Sequence, residues 1–65
     1  MTFKEINNSN SSYEEYEKAC YERAKSEMDT DYAIECLNYS KTINGIKANY
    51  EAGTSVDSAV YWICY

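Results

Sequence analysis

Histidine and proline are absent from this 65-residue chain, and glycine stands only at positions 45 and 53. Without histidine, the side chain that most readily moves protons near neutral pH and one of the commonest metal ligands are both missing. No Gly-rich loop is present to cradle a phosphate, so nucleotide chemistry of that kind is not expected. Cysteine is sparse. Cys20, Cys36 and Cys64 are odd in number and separated by 16 and 28 residues, which makes neither a disulfide framework nor a Cys-x-x-Cys metal knuckle. They read as reduced, buried small hydrophobes. No Lys or Arg adjoins any of them in sequence, so none has the neighbour that would activate a nucleophile. The expectation is a non-enzyme with no cofactor and no metal.

Long apolar runs are missing too. The longest, Ala59 to Tyr65, is far too short for a bilayer span, and Met1 to Asn10 holds no apolar stretch of export-signal length. A cytoplasmic protein without a membrane partner is expected. Basic residues are few, six against eleven acids, so no phosphate-neutralising patch exists and direct binding to nucleic acid is disfavoured.

What the chain does have is a concentration of negative charge. From Glu14 to Glu35 stand eight acids, Glu14, Glu15, Glu17, Glu22, Glu27, Asp29, Asp31 and Glu35, against Lys18, Arg23 and Lys25. That stretch holds the whole net charge of −5, because Lys4, Lys41 and Lys47 balance Glu5, Glu51 and Asp57 elsewhere. Tyr13, Tyr16, Tyr21 and Tyr32 are interleaved with the acids. Asp29-Thr30-Asp31 has acids at the spacing that opens a calcium loop, but lacks the Gly and terminal Glu such a loop needs. A helix cap explains it.

At 45% apolar residues, with eight tyrosines, one Trp and one Phe, the chain folds rather than remaining disordered. Its length allows a single domain with a marginal core. The expected class is all-α: a small three-helix bundle with a long central helix and a short N-terminal segment. Residues 1–12 form that segment, a turn of helix or an edge strand followed by the polar linker Asn7 to Ser12. A first helix over 13–28 is capped by Ser11 or Ser12, with Glu14 or Glu15 three residues on, and carries the stripe Tyr13, Tyr16, Cys20, Ala24 and Met28. A second spans 30–52. Its Tyr32, Cys36, Tyr39, Ile43, Ile46 and Tyr50 alternate at spacings of 4 and 3, either as core or as a dimer seam, while Ile34 and Leu37 form a second patch. The stripe keeps phase across Asn44-Gly45, favouring continuity at a cost of about 1 kcal/mol over a break. Gly53 ends that helix. A third over 55–65 carries Val56, Ala59, Val60 and Ile63, with a strand as the alternative, and Trp62 is expected to be held down.

In size, acidity and want of catalytic residues the chain resembles the small inhibitors encoded by phages and mobile elements, the anti-CRISPR proteins and other DNA mimics. That resemblance implies a non-catalytic inhibitor of a nucleic-acid-processing effector, such as a CRISPR-Cas nuclease complex, blocked sterically. The residues themselves point the same way: carboxylates can replace phosphates in a basic groove, with rings from Tyr13, Tyr16 and Tyr21 as anchors. The expected partner-binding residues are Glu14, Glu15, Glu17, Tyr21, Glu22, Asp29 and Asp31, and the expected partner is a protein with a basic nucleic-acid-binding groove. A self-associating regulatory module, a homodimer or antitoxin-like partner, is the alternative.

Overall fold

In a computed structural model describing residues 2–27 and 30–64, the chain forms four helices and, among those residues, no strand. They are α1 (Tyr13–Glu27), α2 (Thr30–Thr42), α3 (Gly45–Glu51) and α4 (Val56–Cys64), and every pair is in contact. Met28, Asp29 and Tyr65, named in the sequence-based expectations, lie outside the described residues.

Each helix end has a local cause. Ser12 Oγ accepts the Glu15 N–H at 3.2 Å and the Glu15 carboxylate accepts the Ser12 N–H at 3.1 Å, a reciprocal cap at the start of α1. Those bonds hold the Glu15 carboxyl below its usual range. Residues 2–12 are turns rather than a strand or helix, tied by their own amides: Asn10 Nδ2 donates to the Glu5 carbonyl and Asn7 Oδ1 accepts from Ser9 N–H. This segment also finishes α4. The carbonyls of Ile6 and Phe3 accept the Val56 and Asp57 N–H groups at 2.9 and 3.1 Å, orphan donors of the first helical turn.

The expected long central helix does not form; it is broken into α2 and α3. Asn44 adopts the left-handed conformation (φ 59°), one of few residue types that does so at low cost, and turns the chain between the two. Gly45 then sits so close to Ser40 that a Cβ there would collide with Ser40 Oγ. At the far end of α3, Gly53 (φ 78°) completes a Schellman turn, with Thr54 N–H bonded to the Asn49 carbonyl and Gly53 N–H to that of Tyr50.

Breaking the helix changes which face of α2 docks. Ala33, Leu37 and Ser40 are buried, whereas Tyr32, Tyr39 and Ile43 of the expected stripe are exposed; Ile46 and Tyr50, beyond the break, pack inward. Small residues decide this, because Ala33, Ser40 and Gly45 let α2 and α3 approach their neighbours closely where rings would hold them apart. Trp62, expected to be held down, is 73% exposed. The core is correspondingly slight, built from Tyr16, Leu37, Ile46, Val56 and Val60 among alanines and the thiols of Cys20 and Cys64.

Ser40 Oγ is buried with no hydrogen-bond partner among the described residues, and it is the atom a Cβ at Gly45 would meet. Gly45→Ala is expected to destabilise by about 1 kcal/mol, overpacking outweighing the helix gain. Ser40→Ala removes the unpaired hydroxyl and is expected to be neutral or stabilising. The double variant should exceed wild-type stability in urea denaturation, whereas simple additivity would refute this contact.

Candidate functional site

The acidic face is built on α1. Tyr16, Ala19, Cys20 and Ala24 turn inward, which leaves Glu14, Lys18, Glu22 and Lys25 exposed on the outer side. The candidate residues divide between two flanks. Glu17 and Tyr21 look toward α2, where Glu17 pairs with Lys41 Nζ at 3.4 Å and Tyr21 donates its hydroxyl to Asn38 Oδ1 at 2.7 Å. Glu15 and Glu22 border a shallow hollow of about 300 Å³ with Lys18, Ile6 and Ser11. Glu14 lies on the crest between the flanks. Asp31 and Glu35 are exposed on the outer side of α2, continuing the field; Asp29 is outside the described residues.

Of the three bases in the acidic stretch, Arg23 is half-buried. Its Nε meets Asp57 Oδ1 at 2.6 Å, joining α1 to the start of α4, where the carboxylate also favours the positive end of the helix. Glu14, Glu15, Glu22, Asp31 and Glu35 are exposed, as are the bases Lys18 and Lys25. The surface stays negative.

Of Tyr13, Tyr16 and Tyr21, expected as contact anchors, Tyr16 is buried and so closed to a partner, while Tyr13 and Tyr21 are half-buried. Tyr16 is fully buried, its hydroxyl donating to the Thr54 carbonyl at 2.8 Å, and Tyr13 and Tyr16 pack edge-to-face on Tyr50 at centroid distances of 5.5 and 5.1 Å. Burial pushes both phenols above their ordinary pKa. Tyr21 is half-buried and keeps an accessible edge.

The three thiols gather where α1, α2 and α4 meet. Cys64 lies close enough to Cys20 to disfavour the Cys20 thiolate, and Cys36 does the same to Cys64. Burial pushes Cys20 up to about 12 and Cys64 up to about 11, so neither offers a nucleophile near neutral pH. Among the described residues, no group of three or more His, Cys, Asp or Glu is placed to hold a metal. None of the helices is long and apolar enough to cross a membrane.

The raised thiols make stability sensitive to alkali. The unfolded chain can ionise Cys20 near its ordinary pKa of 9.0 whereas the folded chain resists to about 12, so its contribution is complete below pH 9 and lost as pH rises toward 12. The loss reaches up to about 1.4 kcal/mol per pH unit within that window. Melting curves of Cys20→Ala should fall less steeply above pH 9, and an unchanged slope would contradict the burial of this thiol.

No family model, curated protein or solved structure matches this chain. Function must therefore be argued from the surfaces. A second surface combines Tyr32, Tyr39 and Ile43 of α2, which the sequence-based reading placed in the core or in a dimer seam, with Tyr61 and Trp62 of α4, all more than half exposed. Its signal in the sequence was the phase of Tyr61 and Trp62, which fall off the α4 stripe Val56, Ala59, Val60 and Ile63.

Proposed function

We propose that this chain is a non-catalytic inhibitor that binds the basic groove of a nucleic-acid-processing protein, its α1 carboxylates standing where phosphates would lie. One observation carries the reading: the acids of α1 and early α2 remain on the outside, while Arg23, one of the three bases among them, pairs with Asp57 at the start of α4. A surface kept for solubility alone would gain by interspersing lysines, because acids three or four residues apart on a helix repel. Glu14, Glu15, Glu22, Asp31 and Glu35 are the exposed carboxylates that would meet the partner, and Tyr21 supplies a ring at their edge. Glu17 belongs to the same face but also holds Lys41. A CRISPR-Cas nuclease complex is one effector of the required chemistry.

Affinity capture from a bacterial lysate tests this. The wild-type chain should enrich a nucleic-acid-binding protein, and the triple reversal Glu14→Lys, Glu22→Lys and Glu35→Lys should lose it while keeping its helical circular dichroism. Equal capture by both proteins would sink the proposal. The aromatic face of α2 and α4 favours a second reading, a self-associating module, with which inhibition is compatible.

A further inference from the structure

Several of the largest apolar side chains of this protein, including its one Trp, lie on its outside. Trp62 and Tyr39 are 73% and 68% exposed, and Ile43, Tyr61 and Tyr32 are also more than half exposed, while much of the core is alanine and cysteine. The five are contiguous. Trp62, Tyr39 and Ile43 line one groove of about 230 Å³ with Cys36 and Gly45, the Tyr61 ring packs edge-on to Trp62 at 6.0 Å, and the Tyr32 hydroxyl reaches the Cys64 carbonyl at the end of α4. We propose that this α2–α4 face is the seam of a symmetric homodimer, covered in solution by the same face of a second copy.

Three observations favour a second copy over a foreign partner. The first is charge. A two-fold seam sets a face against its own copy, so a face carrying one sign of charge repels itself whereas an almost uncharged one does not. In a chain of net charge −5 this face meets that condition: α1 contributes nothing to the groove, and Glu35, a turn from Tyr32 and from Tyr39, is the acid of α2 at its rim. At physiological salt, repulsion between the acidic surfaces of the two copies is screened over about 8 Å.

The second is area. Aromatic side chains offer roughly 150–250 Å² each, so four rings and an isoleucine more than half exposed present on the order of 500 Å² per copy. That is at the upper end for the largest patch of a monomer. With a rim it approaches the roughly 800 Å² per partner of a stable interface. The third is shape and need. Trp62 walls the groove that Tyr39 and Ile43 line, with Tyr61 edge-on to it, so the face offers both a groove and protruding rings to a second copy, and covering it adds the apolar burial that a 65-residue chain lacks.

Sedimentation velocity of the full chain from 1 to about 300 μM, with tryptophan emission read in parallel, tests the proposal. Trp62 is the sole tryptophan, so its emission reports this face. A shift toward twice the 7.5 kDa protomer mass, accompanied by a blue shift, is expected. Trp62→Asp and, independently on the other helix, Tyr39→Asp should each weaken association by about 30-fold or more. Both should keep their helical circular dichroism, since neither side chain is buried in the protomer; should one fail to fold, the other is decisive alone. A monomer throughout with constant emission overturns the proposal. So does a dimer that persists in a folded variant, and so does a monomer whose Trp62 emission shifts only when another protein is added.

Discussion

Truncation of Tyr16 to alanine is expected to unfold the chain near room temperature. Tyr16 is among the largest fully buried side chains, packed edge-to-face on Tyr50 and bonded through its hydroxyl to the Thr54 carbonyl, so one residue of α1 joins α3 and the turn before α4. Aromatic-to-alanine changes in cores cost about 3–5 kcal/mol. Small single domains sit at the low end of the 5–15 kcal/mol range of folding stability, and the other core members here are too small to collapse into the gap. Tyr16→Phe separates ring from hydroxyl: it keeps the packing and is expected to cost about 1 kcal/mol by leaving the Thr54 carbonyl short of a donor. Thermal melts by circular dichroism measure both. A Tyr16→Ala protein that melts within a few degrees of wild type would show that the core is centred elsewhere.

The second large effect is electrostatic. Reversal of Glu14, Glu22 and Glu35 to lysine places positive charge against a basic groove, and juxtaposed like charges cost several kcal/mol, so affinity for the captured partner should fall about 100-fold or more. Wild-type association should also slow at least about tenfold between 0.1 and 1 M salt, as the screening length shrinks from about 10 to about 3 Å, with dissociation less affected. An association rate indifferent to salt would mean that the acids of α1 do not steer the encounter. These substitutions touch neither the Glu17–Lys41 nor the Arg23–Asp57 pair, so loss of binding can be separated from loss of fold.

The sequence discloses α1 well because several local signals agree: a polar linker, a Ser12–Glu15 cap, and a stripe in which Tyr16, Cys20 and Ala24 are all buried. For α2 the signals conflict. Periodicity marks Tyr32, Cys36, Tyr39 and Ile43 as strongly as any seam, yet the face that docks is Leu37 flanked by Ala33 and Ser40, whose smallness is invisible to a hydrophobicity count. The break at Asn44-Gly45 was written in the dipeptide itself. Continuity of the stripe argued against it, and the stripe was misleading because its two halves face different surroundings: Tyr39 and Ile43 outward, Ile46 and Tyr50 inward.

The candidate site was legible in its charge and not in its rings. Acids seek water, so Glu14, Glu15, Glu22 and Asp31 are outside wherever the helix places them. Tyrosine is ambivalent, satisfied in a core when its hydroxyl finds a carbonyl. Tyr16 does so with Thr54 and Tyr50 with Ser11, whereas Tyr39 remains on the surface. Only the three-dimensional placement of those carbonyls distinguishes them.

Occupation of a nucleic-acid groove is tested most directly by competition. A fluorescent oligonucleotide is bound to the captured partner and the chain is titrated in, with anisotropy as the readout. Full displacement by the wild-type chain, and little by the Glu14→Lys, Glu22→Lys, Glu35→Lys protein, is the expected result. A complex in which oligonucleotide and chain are bound together, with anisotropy undiminished at saturation, would contradict it.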